Sequence, residues 1–210
     1  MDTPLNLSRS ALILIDFQRG VLERPRGAEI PPAATAAVTA AGTVATAYRA
    51  AGLPVVLVGV HRRADYSDVA AHNSDAADRS PSSEAAGDKR LVEGTGDVDF
   101  APELGSAPRD YLVVKRRVSA FFGTPLEIQL RRAGVETIVV GGVFTDMGVE
   151  TTVRDAHDRD FDIVVVSDAC WSSSAGAHDH AIGHQFPRLG RVRTAQELIG
   201  QLPSAAKEAA

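Results

Sequence analysis

The sequence predicts an α/β protein, a three-layer α/β/α sandwich around a six-stranded, mostly parallel sheet. Three observations point there. Short, β-branched apolar runs recur along the chain, as expected of strands buried on both faces. Longer helix-compatible stretches separate them. The order strand–helix–strand repeats, which favours βαβ units with right-handed crossovers. The 210 residues, 44% hydrophobic and 23% charged, suit one domain spanning 1–210.

The elements follow in order. Ala11–Asp16 is an apolar run closed by a carboxylate, the first strand. Pro31 and Pro32 suit the start of a helix over Ala33–Ala50. Pro54–Val60 is the second strand. Asp65–Phe100 then breaks the alternation; it is rich in Ser, Asp, Gly and Ala. A loop of that length in a compact domain is functional or mobile, so the variable region at about 65–100 is expected to have an ordered start and a mobile middle. Tyr111–Val114 is the third strand. Pro125–Ala133 aligns Leu126, Leu130 and Ala133 on one helix face, with Gly134 just beyond the helix end. Thr137–Val140 and Asp162–Val166 are the fourth and fifth strands, followed by helices at Val149–Arg159 and Ala175–Phe186. Arg191–Arg193 is a last short strand, and Pro203–Ala210 a fraying tail.

Composition excludes several classes. The formal charge is −5 and the basic residues are scattered, which argues against a nucleic-acid partner. Cys170 is the one cysteine, so no intramolecular disulfide forms, in keeping with a reducing compartment. No apolar run reaches the roughly 18 residues of a membrane span, and the start carries no basic run before a cleavable apolar stretch. The expected location is cytoplasmic, without a membrane partner.

In an open parallel sheet, ligands bind beyond the carboxyl ends of the strands. Asp16, Phe17 and Gln18 stand at the first such end, His61, Arg62 and Arg63 at the second, and Lys115 at the third. The fourth runs through Gly141–Phe144 into a helix near Gly148. An acid and a lysine therefore project from what read as neighbouring strand ends toward a glycine-bearing helix start. Such a set suits proton transfer with anion stabilisation. Taken singly, each has an ordinary reading: a turn-capping Asp, a solvated Lys, a turn Gly.

Three segments carry a resemblance: ALILIDFQRGVL, the stretch from VVKRRVSAFFGTPLEIQLRRAG through GGVFTDMGVETTVRDAHDRDFDIVVVSDAC, and FPRLGRVRTAQEL. Together they resemble the isochorismatase-like hydrolases over most of the chain outside the variable loop. The resemblance implies a catalytic set of Asp16, Lys115 and the position of Gly148, where most members carry a nucleophilic cysteine. Cys170 lies in the DAC segment after the fifth strand, not at that turn. Without a thiolate, the resemblance implies cysteine-independent hydrolysis of a small anionic metabolite. Its most concrete form is cleavage of an isochorismate-type vinyl ether, releasing pyruvate. Asp16 would be the general acid, Lys115 would orient it, and Gly148 would leave room for substrate or water.

The expected substrate-binding residues are Gln18, Arg62, Tyr66, Phe121 and Phe144. Arg62 would pair with a carboxylate, Phe121 would wall the pocket, and the Phe144 amide would help cradle developing charge. Two alternatives stay open: an amide or imine hydrolase using water activated by Asp16, and an inactive relative that binds a metabolite. No cofactor or metal is expected. His61, Asp65, Asp68 and His72 match metal-site spacing poorly, and His180 and His184 share a helix face without an HExxH pattern. The resemblance implies a homodimer or higher homo-oligomer. A lysine beside Asp16 lowers its pKa by about 1–3 units, which opposes the acid role, whereas burial raises it.

Overall fold

Alternation within the strands decides the architecture. The computed structural model describes residues 6–24, 27–69 and 89–203. Six strands, β1 (Ser10–Ile15), β2 (Val55–Val60), β3 (Tyr111–Lys115), β4 (Thr137–Val143), β5 (Asp162–Trp171) and β6 (Arg191–Arg193), form one sheet in the order β3-β2-β1-β4-β5-β6. All five pairings are parallel. In β1, Leu12 and Leu14 enter one apolar cluster while Ala11, Ile13 and Ile15 enter the other. A period of two thus feeds two cores from one strand.

The first core lies under α2 (Pro32–Ala50), the second under α3 (Leu126–Arg132) and α4 (Glu150–His157). In α2, alanines and Gly42 allow close approach: a Cβ on Gly42 would stand 2.3 Å from the Glu103 carbonyl oxygen. Helix α3 ends as its sequence predicts. Gly134 takes φ +67°, its amide bonds Arg131 O, and Val135 N bonds Leu130 O, the two bonds of a Schellman motif. No described helix is long and apolar enough to cross a membrane.

Several expectations need correction. Strands β4 and β5 continue beyond their apolar runs, to Val143 and Trp171, because Gly142–Cys170 and Val143–Trp171 resume pairing after an irregularity. The helix predicted over Val149–Arg159 is entered through a π-helical turn, Thr145–Val149, and stops at His157. The helix predicted over Ala175–Phe186 divides into α5 (Ala175–His180), a second π turn at Ala181–Gln185 and a 3₁₀ turn at Phe186–Arg188 that contains Pro187. Two helices were not anticipated, α1 (Arg19–Leu22) and α6 (Ala195–Ile199). The second had a signal: Thr194 and Glu197 form a capping box, the T-x-x-E pattern. Of the variable loop, 70–88 lie outside the described residues, as do 204–210 of the tail. The later part of that loop is ordered and well packed, with Arg90, Leu91 and Asp97 buried.

Candidate active site

The strand order has its switch point between β1 and β4, whose crossovers leave on opposite faces, so a crevice opens beyond their carboxyl ends. Both strands leave the sheet there through a left-handed, non-glycine residue. Asp16 has φ +60° and Phe144 φ +59°. Such backbone costs about 1–3 kcal/mol and persists where surroundings enforce it, commonly at functional sites. It turns Asp16 out of the strand pattern toward a cavity of about 300 Å³.

Asp16 Oδ2 lies 2.8 Å from Lys115 Nζ, and both residues are buried. They are not on neighbouring strands as the sequence suggested. β2 lies between β1 and β3, and the lysine stem reaches over it. The ammonium also donates to the Val118 carbonyl at 2.9 Å, which fixes its position. Asp16 Oδ1 is buried and has no hydrogen-bond partner among the described residues. Burial pushes the Asp16 carboxyl above its ordinary value, and the charge and hydrogen bond of Lys115 pull the other way. An ionised carboxylate buried here depends on the Lys115 ammonium for its compensation.

Gly148 sits in the π turn facing this pair. A Cβ built on it stands 3.1 Å from Asp16 Oδ2 and 3.7 Å from Lys115 Nζ. The third expected position therefore converges on the other two, and it carries no side chain. Cys170 offers no substitute. It is packed in the second core, and burial pushes its thiol up to about 12, far from a usable thiolate.

Arg62 and Phe144 line the cavity with Asp16, Lys115 and Gly148. Arg62 Nη1 donates to the Tyr66 hydroxyl at 3.2 Å, and the Phe144 ring packs against Trp171 with centroids 6.3 Å apart. Gln18, Tyr66 and Phe121 do not line it. Gln18 is fully buried; its Oε1 accepts from Val60 N at 2.7 Å, and its Nε2 donates to Val60 O and Val98 O. It satisfies backbone groups at the end of β2. The Tyr66 hydroxyl donates to Arg90 O at 2.6 Å and accepts from Arg90 N, which binds together two parts of the variable loop. Phe121 is buried against Phe161, with centroids 6.0 Å apart. His72 lies outside the described residues. Asp68 is held by Arg116 at 2.9 Å, and the His180 and His184 rings lie 5.4 Å apart in the connection from β5 to β6 and do not line the cavity.

Sequence reasoning missed three cationic contributors to the wall. Arg24 comes from beyond α1, and Arg116 and Arg117 follow Lys115. Of these, only the Arg116–Arg117 doublet forms a pattern in the sequence. With Arg62 and Lys115 these cations outnumber the lining carboxylates, Asp16 and Asp68. A concave site of net positive charge attracts small anions.

Comparison with known proteins gives a consistent result. A family model described as the isochorismatase domain matches residues 10–197. The chain is 40% identical over 198 residues to the uncharacterised isochorismatase family protein YecD of Escherichia coli O157:H7, covering 94% of this chain and 98% of that protein. It is 31% identical over 207 residues to the ureidoacrylate amidohydrolase RutB of Variovorax paradoxus, covering 93% and 82%. A solved structure of an isochorismatase family protein from Burkholderia thailandensis matches with a TM-score of 0.79 and 34% identity, covering 94% of this chain and 97% of that one.

Proposed function

Because the chain belongs to the isochorismatase family of hydrolases, we propose that it hydrolyses a small anionic metabolite without a cysteine nucleophile, with Asp16 as general acid. The concrete reaction is cleavage of a vinyl ether of the isochorismate type. Asp16 gives its proton to the terminal methylene carbon of the enol ether. Water adds to the resulting oxocarbenium carbon and returns a proton to Asp16. The hemiketal then collapses to pyruvate and a hydroxy acid.

One observation carries this reading. The buried Asp16–Lys115 pair, 2.8 Å apart, faces a glycine rather than a thiol. Proton transfer is then the chemistry these residues can supply. Cations around the cavity suit a carboxylate substrate. A substrate anion near Lys115 competes for its charge and raises the Asp16 pKa further, each unit being worth about 1.4 kcal/mol.

Incubation with isochorismate and a pyruvate-coupled assay tests the proposal. The expected result is Asp16-dependent pyruvate release, with kcat falling as pH rises through the Asp16 pKa in the complex. No pyruvate, or a flat pH profile with chemistry rate-limiting, rejects it.

The amidohydrolase relative supports a second reading, in which ionised Asp16 activates water on an amide. Ammonia release from a ureido acid, with activity rising as Asp16 ionises, would replace the first reading with this one. Gly148→Cys links the two. Its Cβ needs only a few tenths of an ångström from the Asp16 carboxylate, at 3.1 Å. The sulfur takes space of about one water. Pyruvate release is expected to fall and iodoacetamide-sensitive amide hydrolysis to appear. A variant that folds and shows neither change would dissociate Gly148 from the reacting centre.

A further inference from the structure

Threonine hydroxyls that bond back to the carbonyl four residues earlier recur in α2: Thr39 to Thr35, Thr43 to Thr39, and Thr46 to Gly42. This is ordinary helix behaviour. Thr152 in α4 differs. It is fully buried, and its oxygen serves two elements. The hydroxyl donates to the Gly148 carbonyl at 2.7 Å and accepts from the Ala120 amide at 3.0 Å. Ala120 belongs to the loop after β3, in which the Val118 carbonyl receives the Lys115 ammonium at 2.9 Å. The Ser119 hydroxyl, between them, bonds Asp155 on the same helix. One buried hydroxyl therefore connects the turn bearing Gly148 to the loop that anchors Lys115.

We propose that Thr152 is a positioning residue: its hydroxyl sets the spacing between the Lys115 ammonium and the Gly148 turn, and through Lys115 the pose of the Asp16 carboxyl. The inference rests on the reading of Asp16 as proton donor. A buried backbone amide requires a partner. Without the hydroxyl, the Ala120 N–H finds one only if its loop moves, and the Val118 carbonyl moves with it. Misplacement of about 1 Å is enough to cost about 10²-fold in rate.

Thr152→Val keeps the side-chain shape and removes the hydroxyl; Thr152→Ser keeps the hydroxyl and removes the methyl. In the pyruvate assay, kcat is expected to fall roughly 10- to 100-fold in the Val variant, with KM little changed and the Ser variant near wild type. The deciding measurement needs no substrate. It is a ¹³C NMR titration of the Asp16 carboxyl in the ligand-free protein, its signal assigned by loss in Asp16→Asn. His61, Arg24, Arg62 and Asp68 line the same cavity, but the labelled carboxyl reports Asp16 itself. Lys115 pulls the Asp16 pKa down, so loosening it raises the midpoint in Thr152→Val and not in Thr152→Ser. An unchanged or lowered midpoint in Thr152→Val, whatever its melting temperature, overturns the proposal. Should that variant not fold, Thr152→Ala is read by the same criterion. Absence of pyruvate from the wild type rejects the vinyl ether reading alone, while the Asp16 midpoint decides the role of Thr152.

Discussion

Asp16→Asn is expected to lower kcat by about 10²- to 10⁴-fold, the usual worth of a positioned proton donor. KM should change far less. Asparagine nearly matches the shape of aspartate, and its carbonyl oxygen can still accept from Lys115, which stands 2.8 Å from the native carboxylate. What it lacks is an acid proton. The rim arginines, which would hold an anionic substrate, are untouched. Steady-state kinetics on the pyruvate-releasing substrate give the result directly. Retention of more than a tenth of the wild-type kcat, in a variant with native circular dichroism, would remove Asp16 from the chemistry.

Lys115→Met has the largest expected effect on stability. Lys115 and Asp16 are both buried, and removing one member of a buried pair typically costs about 3–5 kcal/mol. Asp16 can escape part of that penalty by taking a proton. Loading it at pH 7 against an unfolded value of 3.8 costs about 4 kcal/mol, which caps the loss attributable to its charge. The sign follows from burial, which raises the folded pKa and goes unopposed once Lys115 is gone. Stability linked to a raised group is fully present below the unfolded pKa and is lost as pH rises through the folded one. The variant should therefore lie closest to wild type near pH 4 and fall behind by about 3–4 kcal/mol at pH 7. Urea denaturation at the two pH values measures this. A deficit that is equal at both, or larger in acid, contradicts a buried carboxylate held by Lys115. The double variant Asp16→Asn/Lys115→Met should recover much of the loss, since it buries neither charge, while remaining inactive.

The chain by itself determined what depends on local pattern. Buried parallel strands need continuous apolar runs, so β1 and β2 lie close to where composition puts them. Gly134 ends α3 because a left-handed residue there needs no neighbour's consent. Asp16, Lys115 and Gly148 were legible because strand-end chemistry and a family resemblance coincide on them. Tertiary structure decided the rest. It put β2 between the acid and the lysine, and it gave Lys115 a carbonyl anchor at Val118. It also turned Gln18 and Tyr66 away from the cavity, to serve backbone groups of Val60, Val98 and Arg90. A polar side chain beside a site reads as a ligand contact in one dimension. Its actual partner is fixed by which distant amides and carbonyls are left unsatisfied when the strands assemble, and no local period encodes that.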